Sequence, residues 1–187
     1  DAEKLLNAFH NSLKIIDSLF ADKAFKRYYA GTDVNNSGYW ENKKFNVSLY
    51  DALMFAFRDK DINMVMNTKD LIREAIIGLM TSDEKFIESI SRSTSSKDML
   101  QYRCEVVERL IKDVLNTTSK QPRCFTLEFK QYLFDNNPTC EICGNRIEHI
   151  DDAAVDHIEQ YWQGGKTIPE NARLTHRYCN NARKRKE

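Results

Sequence analysis

Turn-forming residues are scarce in this 187-residue chain, which contains six glycines and three prolines. No proline occurs before Pro122, and Gly78 alone interrupts the helical patterns of the first 120 residues. Because glycine and proline are the strongest helix breakers, this scarcity favours a helical structure there. Long apolar runs are also missing. None approaches the roughly 18–20 residues that span a bilayer, so no membrane partner is expected.

Net charge is missing as well, since 28 basic residues balance 28 acidic residues, and the overall charge indicates no partner. The cysteines number five, and two of them form a tight C-x-x-C. This pattern is unlike a disulfide framework and favours a reducing, cytoplasmic setting. No secretory signal pattern opens the chain. The chain begins at Asp1 without an initiator methionine, so we expect it to be part of a longer protein.

Helical periodicity dominates residues 1–120. Apolar residues recur at steps of three and four, as on one face of a helix, first at Leu5, Phe9, Leu13, Ile16 and Phe20. The polar interval 31–38 breaks the pattern. Capping residues predict three further helix starts: Ser48, Thr68 and the Thr81-x-x-Glu84 capping box. With a last helix from Met99 to Leu115, we predict a helical bundle domain over residues 1–120.

The composition changes near residue 120. Residues 117–122 are polar and end in proline, as in a linker. A short amphipathic helix is predicted from Phe125 to Phe134, and Asp135–Pro138 is a strong stop signal. Three of the six glycines and two of the three prolines lie beyond residue 135. We therefore predict a second domain over residues 121–187, small, rich in turns and held by a metal.

Two short ligand spacings indicate a zinc site, Cys140-x-x-Cys143 and His176-x-x-Cys179. Two residues between thiolates let both sulfurs reach one tetrahedral ion, and Gly144 relieves the tight turn. An imidazole and a thiolate at i and i+3 suit the first turn of a helix and complete a Cys3His site. Redox dithiols share the C-x-x-C spacing, but a disulfide would leave His176 without a role. We predict structural zinc.

The segment between the two predicted pairs of zinc ligands contains polar residues that indicate a catalytic site. Residues 153–158 form a β-like run that ends in Asp156 and His157, and residues 171–175 can form a return strand. Adjacent strand residues face opposite ways, so Asp156 is placed to bind a metal while His157 faces a water molecule.

Phosphodiester hydrolysis needs a base for water and a Lewis acid at the phosphate. His157 can supply the base. A hard ion such as Mg2+ or Mn2+, held by Asp156 and by Asn180 beside the zinc ligand Cys179, can supply the Lewis acid.

The order C-x-x-C, V-D-H-I, G-G-x-T, E-N-x-x-L, H-x-x-C-N over residues 138–186 resembles the zinc-containing HNH nucleases, also called ββα-metal or His-Me finger nucleases. The resemblance implies that His157 is the general base, that Asp156 and Asn180 bind the catalytic metal, and that Asn171 orients the loop and the base. It departs at His176, where the usual zinc ligand is cysteine. We assign His176 to the zinc, and the terminal metal-binding histidine of the family is the alternative.

A second resemblance covers the helical part. The stretch REAIIGLMTSDEKFIESISRSTSSK, together with the HNH-like end, resembles the C-terminal half of GmrSD-type restriction proteins. It implies a role in defence against modified phage DNA and a preceding ParB-like portion that this chain lacks.

The chain ends in a basic cluster beside the predicted metal site, an arrangement that a phosphate backbone favours. The predicted DNA-binding residues are Arg173, Arg177, Arg183, Lys184 and Arg185. The alternative is that these basic residues form a solvated tail without a DNA contact. One HNH unit has one active site, so double-strand cutting would require a homodimer or repeated nicking.

The sequence thus predicts a mainly α protein with an N-terminal helical bundle followed by a small zinc-stabilised ββα-metal domain. The predicted function is a metal-dependent DNA endonuclease, the effector part of a restriction protein. A non-catalytic zinc-ribbon nucleic-acid-binding module is the alternative, but it has no need of Asp156, His157, Asn171 and Asn180 together. A zinc deaminase shares the H-x-E at His157, yet its cysteine pair should follow that motif.

Overall fold

The computed structural model describes residues 1–92, 94–116 and 124–183. It confirms a mainly α protein, with two small two-stranded sheets among these residues. Residues 1–28 and 40–116 form a helical unit, and residues 29–39 group with residues 124–183 in a second unit. Within the described ranges, no helix combines the length and apolar character needed to cross a membrane.

The helical unit holds six α-helices in its described part. In chain order they are α1 (Ala2–Phe20), α2 (Val47–Phe57), α3 (Ile62–Asn67), α4 (Lys69–Ser82), α5 (Glu84–Ser91) and α6 (Lys97–Asn116). Their buried apolar residues form one cluster that includes Ile15, Leu53, Phe57, Ile76, Phe86 and Val107. The apolar face of α1 is buried in the second half of the helix, whereas Leu5 near the start of the helix is 73% exposed.

Two of the predicted helix starts are wrong. α2 begins after Asn46, whose side chain accepts a hydrogen bond from the N–H three residues on, and Ser48 is buried inside the helix. α5 begins after Asp83, which caps in the same way, while Thr81 lies within α4. In both cases a nearby Asn or Asp takes the cap, as these residues are at least as good N-caps as serine and threonine. Thr68 precedes α4 as predicted.

The interval that the sequence predicts only as a break contains two short paired strands, β1 (Tyr28–Tyr29) and β2 (Tyr39–Trp40). Residues 29–39 between them, here called the hairpin loop, group with the C-terminal unit, although the sequence placed them in the helical domain. The predicted linker 117–122 and the predicted boundary near residue 120 lie outside the described residues.

The C-terminal unit begins its regular structure with α7 (Leu127–Asn136), which starts after the capping residue Thr126. Two strands follow, β3 (Ala153–His157) and β4 (Ala172–His176), and α8 (Arg177–Ala182) continues directly from β4. The strands pair antiparallel, with Ala153 opposite His176 and His157 opposite Ala172. The unit therefore has the predicted order of two strands and a helix.

The core of this unit is small. Its buried members are Cys140, Ile147, Ala153, Leu174 and Cys179. Two of these five are predicted metal ligands, so few purely apolar side chains remain to stabilise the fold. Small units of this kind usually need a metal or another cross-link.

Candidate metal centre and nuclease site

The fold brings the four predicted zinc ligands together. One ligand atom from each of Cys140, Cys143, His176 and Cys179 lies within 4.8 Å of the others. Nδ1 of His176 is 3.4 Å from Sγ of Cys143 and 4.0 Å from Sγ of Cys179. Ligand atoms around a tetrahedral zinc lie about 3.5–3.8 Å apart, and three sulfurs with one imidazole are a common structural set. This Cys3His group can hold a zinc ion.

A tight turn positions the first two ligands. The N–H of Gly144 donates to the carbonyl of Cys140 at 2.8 Å, and the N–H of Cys140 donates to the carbonyl of Asn145 at 2.9 Å. Gly144 has a φ of 75°, a left-handed conformation that glycine adopts without strain. The junction between β4 and α8 positions the other two ligands, because His176 directly precedes α8 and Cys179 lies in its first turn.

The environment of His176 favours its role in the zinc group. Its side chain is fully buried, and Nε2 lies 3.2 Å from the carbonyl oxygen of Arg146. An Nε2–H donor to that carbonyl leaves the Nδ1 lone pair directed at the thiols, which is the usual arrangement of a metal-bound histidine. The alternative assignment, to the catalytic ion, has no such support.

The thiols of the group differ in acidity. Burial raises the pKa of the Cys179 thiol to about 12. Burial also acts to raise the pKa of Cys143, but hydrogen bonds from the backbone of Asn145 and from neighbouring side chains outweigh it, so the pKa is lowered. A divalent cation would stabilise all of these sulfurs as thiolates, since metal binding requires their deprotonation.

Asp156 is held by two arginines. It is 8% exposed and lies opposite Arg173 in the β3–β4 pair. Its Oδ2 accepts hydrogen bonds from Nε and Nη2 of Arg173 at 2.9 and 2.7 Å, and from Nη1 of Arg183 at 2.7 Å. Two guanidinium groups thus face the carboxylate that the sequence assigned to a catalytic cation.

His157 ends β3 with its ring between aromatic neighbours. Its centroid lies 4.7 Å from the ring of Phe125 and 5.8 Å from the ring of Tyr161. Nε2 is 3.0 Å from the hydroxyl oxygen of Thr167. These contacts define the orientation of the imidazole. Nothing in the sequence pattern indicated the contact with Phe125, because it joins segments 32 residues apart.

Asn171 fastens the loop that joins the two strands. Its Oδ1 accepts from the N–H of Glu159 at 2.7 Å, and its Nδ2 donates to the carbonyls of Glu159 and Lys166 at 3.0 and 2.9 Å. A Cβ on Gly165 would lie 1.9 Å from the Glu159 oxygen, so this close approach requires glycine. The side-chain amide of Asn171 therefore ties the end of the loop to Glu159 at its start and to Lys166 in its middle, next to His157.

The remaining predicted site residues have varied positions. Asn180 is half-buried in α8, directly after Cys179. Arg177 is 7% exposed and donates to the carbonyl of Asp151, so little of its side chain is accessible and its DNA contact stays a prediction. The predicted DNA contacts of Lys184 and Arg185 lie outside the described residues.

The DNA contacts expected of Arg173 and Arg183 stay a prediction. In the structure their guanidinium groups bind Asp156, and Arg183 also donates to the carbonyls of His157 and Ile158. A buried carboxylate is costly unless a cation pairs with it. The sequence does not show that α8 brings Arg183 back to β3.

A cavity of about 520 Å³ opens beside these groups. Its walls include Cys143 and Cys179 of the zinc group, Arg173 and Arg183 of the Asp156 cluster, and Asn36 of the hairpin loop. The cavity places the ion pairs of Asp156 and the thiols of the metal centre on one accessible surface.

An Asp-His doublet and an asparagine-fastened loop on a ββα element, joined to the preceding turn by a Cys3His group, have a counterpart among known families. The HNH endonuclease family model matches residues 140–186. The HNH-like segment covers about a quarter of the chain and includes all four residues of the Cys3His group, Asp156, His157, Asn171 and Asn180. No curated protein and no solved structure matches the chain. The match indicates nuclease activity on DNA in general, and the resemblance to GmrSD-type proteins stays a prediction.

Proposed function

We propose that the HNH-like segment hydrolyses DNA phosphodiester bonds with Mg2+ or Mn2+, on a fold held by structural zinc. The observation that carries the proposal is the Cys3His group, which joins the Cys140–Cys143 turn to the ββα element that bears the Asp156-His157 doublet. Phosphodiester hydrolysis requires a base for the attacking water and a Lewis acid at the phosphate, and His157 and Asp156 are the candidates for the base and for a ligand of that metal. A zinc-ribbon binder would need only the zinc-held fold.

Each residue has a defined task in this mechanism. His157, oriented by Thr167 and Phe125, takes the proton from the attacking water. Asp156 and Asn180 would supply oxygen ligands to the divalent ion. When bound, that ion supplies Lewis-acid stabilisation of the scissile phosphate and of the leaving oxygen. Asn171 keeps the loop beside His157 in place through its three hydrogen bonds.

The ion pairs of Asp156 require a rearrangement before a cation can bind there. Two like unit charges 4 Å apart repel by about 4 kcal/mol near a protein surface, so a divalent ion and two guanidinium groups do not share one carboxylate readily. We propose that Arg173 and Arg183 leave Asp156 for a DNA phosphate when the ion binds. Guanidinium groups bind phosphate in bidentate fashion, so the same arginines would then serve the DNA contact.

Replacing Arg173 by glutamine tests this exchange. The variant should reach half-maximal cutting at a divalent-ion concentration several-fold lower than the wild type, because one competing cation has been removed from Asp156. Its half-saturating DNA concentration should rise, because a phosphate contact is lost. Both quantities are measured by titrating Mg2+ and DNA separately. Arg92→Gln, an exposed site in the helical unit, is the matched control. An unchanged or higher metal requirement in Arg173→Gln would contradict the exchange.

The proposed activity is tested with supercoiled plasmid, the full-length protein and a titration of Mg2+ and Mn2+. We expect conversion to nicked and then linear DNA, only with a divalent ion present. Added salt should weaken activity steeply, because phosphate contacts release counterions. DNA binding without cutting at any metal concentration would instead establish the zinc-ribbon module.

We further propose that the cutting serves restriction of modified phage DNA, a role supported by the resemblance of residues 73–97 and the HNH-like end to GmrSD-type proteins. Plasmids with and without base modification distinguish this role, since the modified substrate should be cut preferentially. Because each HNH-like segment has one catalytic doublet, nicked plasmid should accumulate before linear plasmid. Equal cutting of both substrates would separate the nuclease activity from the restriction role.

A further inference from the structure

The zinc group has a contact from outside the HNH-like segment. Nδ2 of Asn36, in the hairpin loop, lies 3.1 Å from Sγ of Cys179 and donates a hydrogen bond to it. The two residues are 143 positions apart in the sequence, and both belong to the C-terminal unit. Asn36 also lines the cavity beside the thiols.

The hairpin loop is built to present this amide. The N–H of Thr32 donates to the carbonyl of Asn35 at 2.6 Å, and the N–H of Asn35 returns a bond to the Thr32 hydroxyl at 3.1 Å. The N–H of Ser37 donates to Oδ1 of Asn35 at 3.1 Å. A Cβ on Gly31 would lie 2.0 Å from the carbonyl oxygen of Asn36, so only glycine permits this path. The backbone on both sides of Asn36 is thereby fixed.

We propose that Asn36 is a positioning residue of the zinc centre, which donates to the Cys179 thiolate and increases its retention of zinc. Three thiolates and one neutral imidazole leave a net negative charge around a divalent ion. A buried negative charge of this kind is stabilised by hydrogen-bond donors. The amide of Asn36 provides one at a sulfur that is otherwise buried, so residues far upstream of the HNH-like segment complete its metal centre.

The functional consequence is that the HNH-like segment does not reach its full zinc affinity by itself. Partners around metal ligands typically change metal affinity by about 10–100-fold when they are removed. The chain should therefore hold its zinc less tightly when the hairpin loop is displaced. This inference concerns zinc retention and not DNA cutting, so its failure would leave the proposed nuclease activity unaffected.

The test compares zinc affinity in the full chain by competition with a chromogenic chelator. Asn36→Ala should lower the affinity about 10–100-fold. Asn36→Asp should lower it further, because a carboxylate would face the thiolate. Gly31→Ala should also weaken zinc binding, with the Asn36 side chain intact but displaced. Val34→Ala, at a 92% exposed position of the same loop, should match the wild type.

Two results would overturn the proposal. One is wild-type zinc affinity in both Asn36 variants, and the other is an equal loss in Val34→Ala, which would implicate the loop as a whole. A second readout does not depend on affinity. With Co2+ in place of zinc, the cobalt–thiolate charge-transfer bands of Asn36→Ala should shift from those of the wild type and of Val34→Ala. Identical spectra would show that the amide does not act on the metal-bound sulfur.

Discussion

Replacement of His157 by alanine should reduce metal-dependent plasmid cutting by about 10²–10⁴-fold, the usual contribution of a general base. The imidazole ends β3, is oriented by Thr167 and lies against Phe125. None of these contacts involves the Cys3His group. The variant should therefore retain its zinc, its secondary structure and its DNA binding, and the loss should be confined to the catalytic rate.

The matched control is His149→Ala, an exposed histidine in the same unit, which should cut at the wild-type rate. Initial rates of plasmid nicking give the effect on cutting, and zinc content and circular dichroism give the state of the fold. Cutting by His157→Ala at the wild-type rate would assign the base to another residue. Zinc loss in the same variant would show that His157 stabilises the metal centre and would remove it from the mechanism.

Removal of zinc should have the largest effect on stability. Zinc binding in small zinc-dependent domains is worth about 10–16 kcal/mol in apparent free energy, and the C-terminal unit has only a small apolar core. We expect Cys179→Ser or a strong chelator to unfold this unit. The helical unit has its own large core around Ile15, Phe57 and Ile76, so it should remain folded.

Thermal unfolding followed by circular dichroism and by tryptophan fluorescence measures this outcome. Trp162 lies in the C-terminal unit and Trp40 in the helical unit, so single-tryptophan variants report on each unit separately. Cys124→Ser, at an exposed cysteine outside the metal group, is the control and should unfold like the wild type. A C-terminal unit that stays folded without zinc would contradict the structural role of the metal.

Zinc retention should also depend on pH in a defined direction. Burial raises the pKa of the metal-free Cys179 thiol to about 12, so this group carries a proton at neutral pH that zinc must displace. Zinc affinity should therefore increase as pH rises from 6 to 8 and fall as pH decreases, by about tenfold per pH unit for each proton released. Chelator competition at several pH values measures the slope, and a flat profile would contradict it.

Much of the second unit could be predicted because its signals are local. The spacing of Cys140 and Cys143, and of His176 and Cys179, is set by the reach of side chains within one turn, so ligand identity follows from the sequence. The β3 and β4 positions follow from short apolar runs around a glycine-containing loop. Helix starts were less secure, because Asn46 and Asp83 competed with Ser48 and Thr81 within two residues.

The sequence by itself determined the helical character of the first part, the four residues of the Cys3His group and the order of strand, loop, strand and helix that bears Asp156 and His157. Only the tertiary structure decided that Arg173 and Arg183 neutralise Asp156 and that Asn36 donates to Cys179. The physical reason is separation along the chain. Local propensity and spacing act over a few residues, whereas these contacts join segments 17 to 143 residues apart, and only the packing of the folded chain brings them within hydrogen-bond distance.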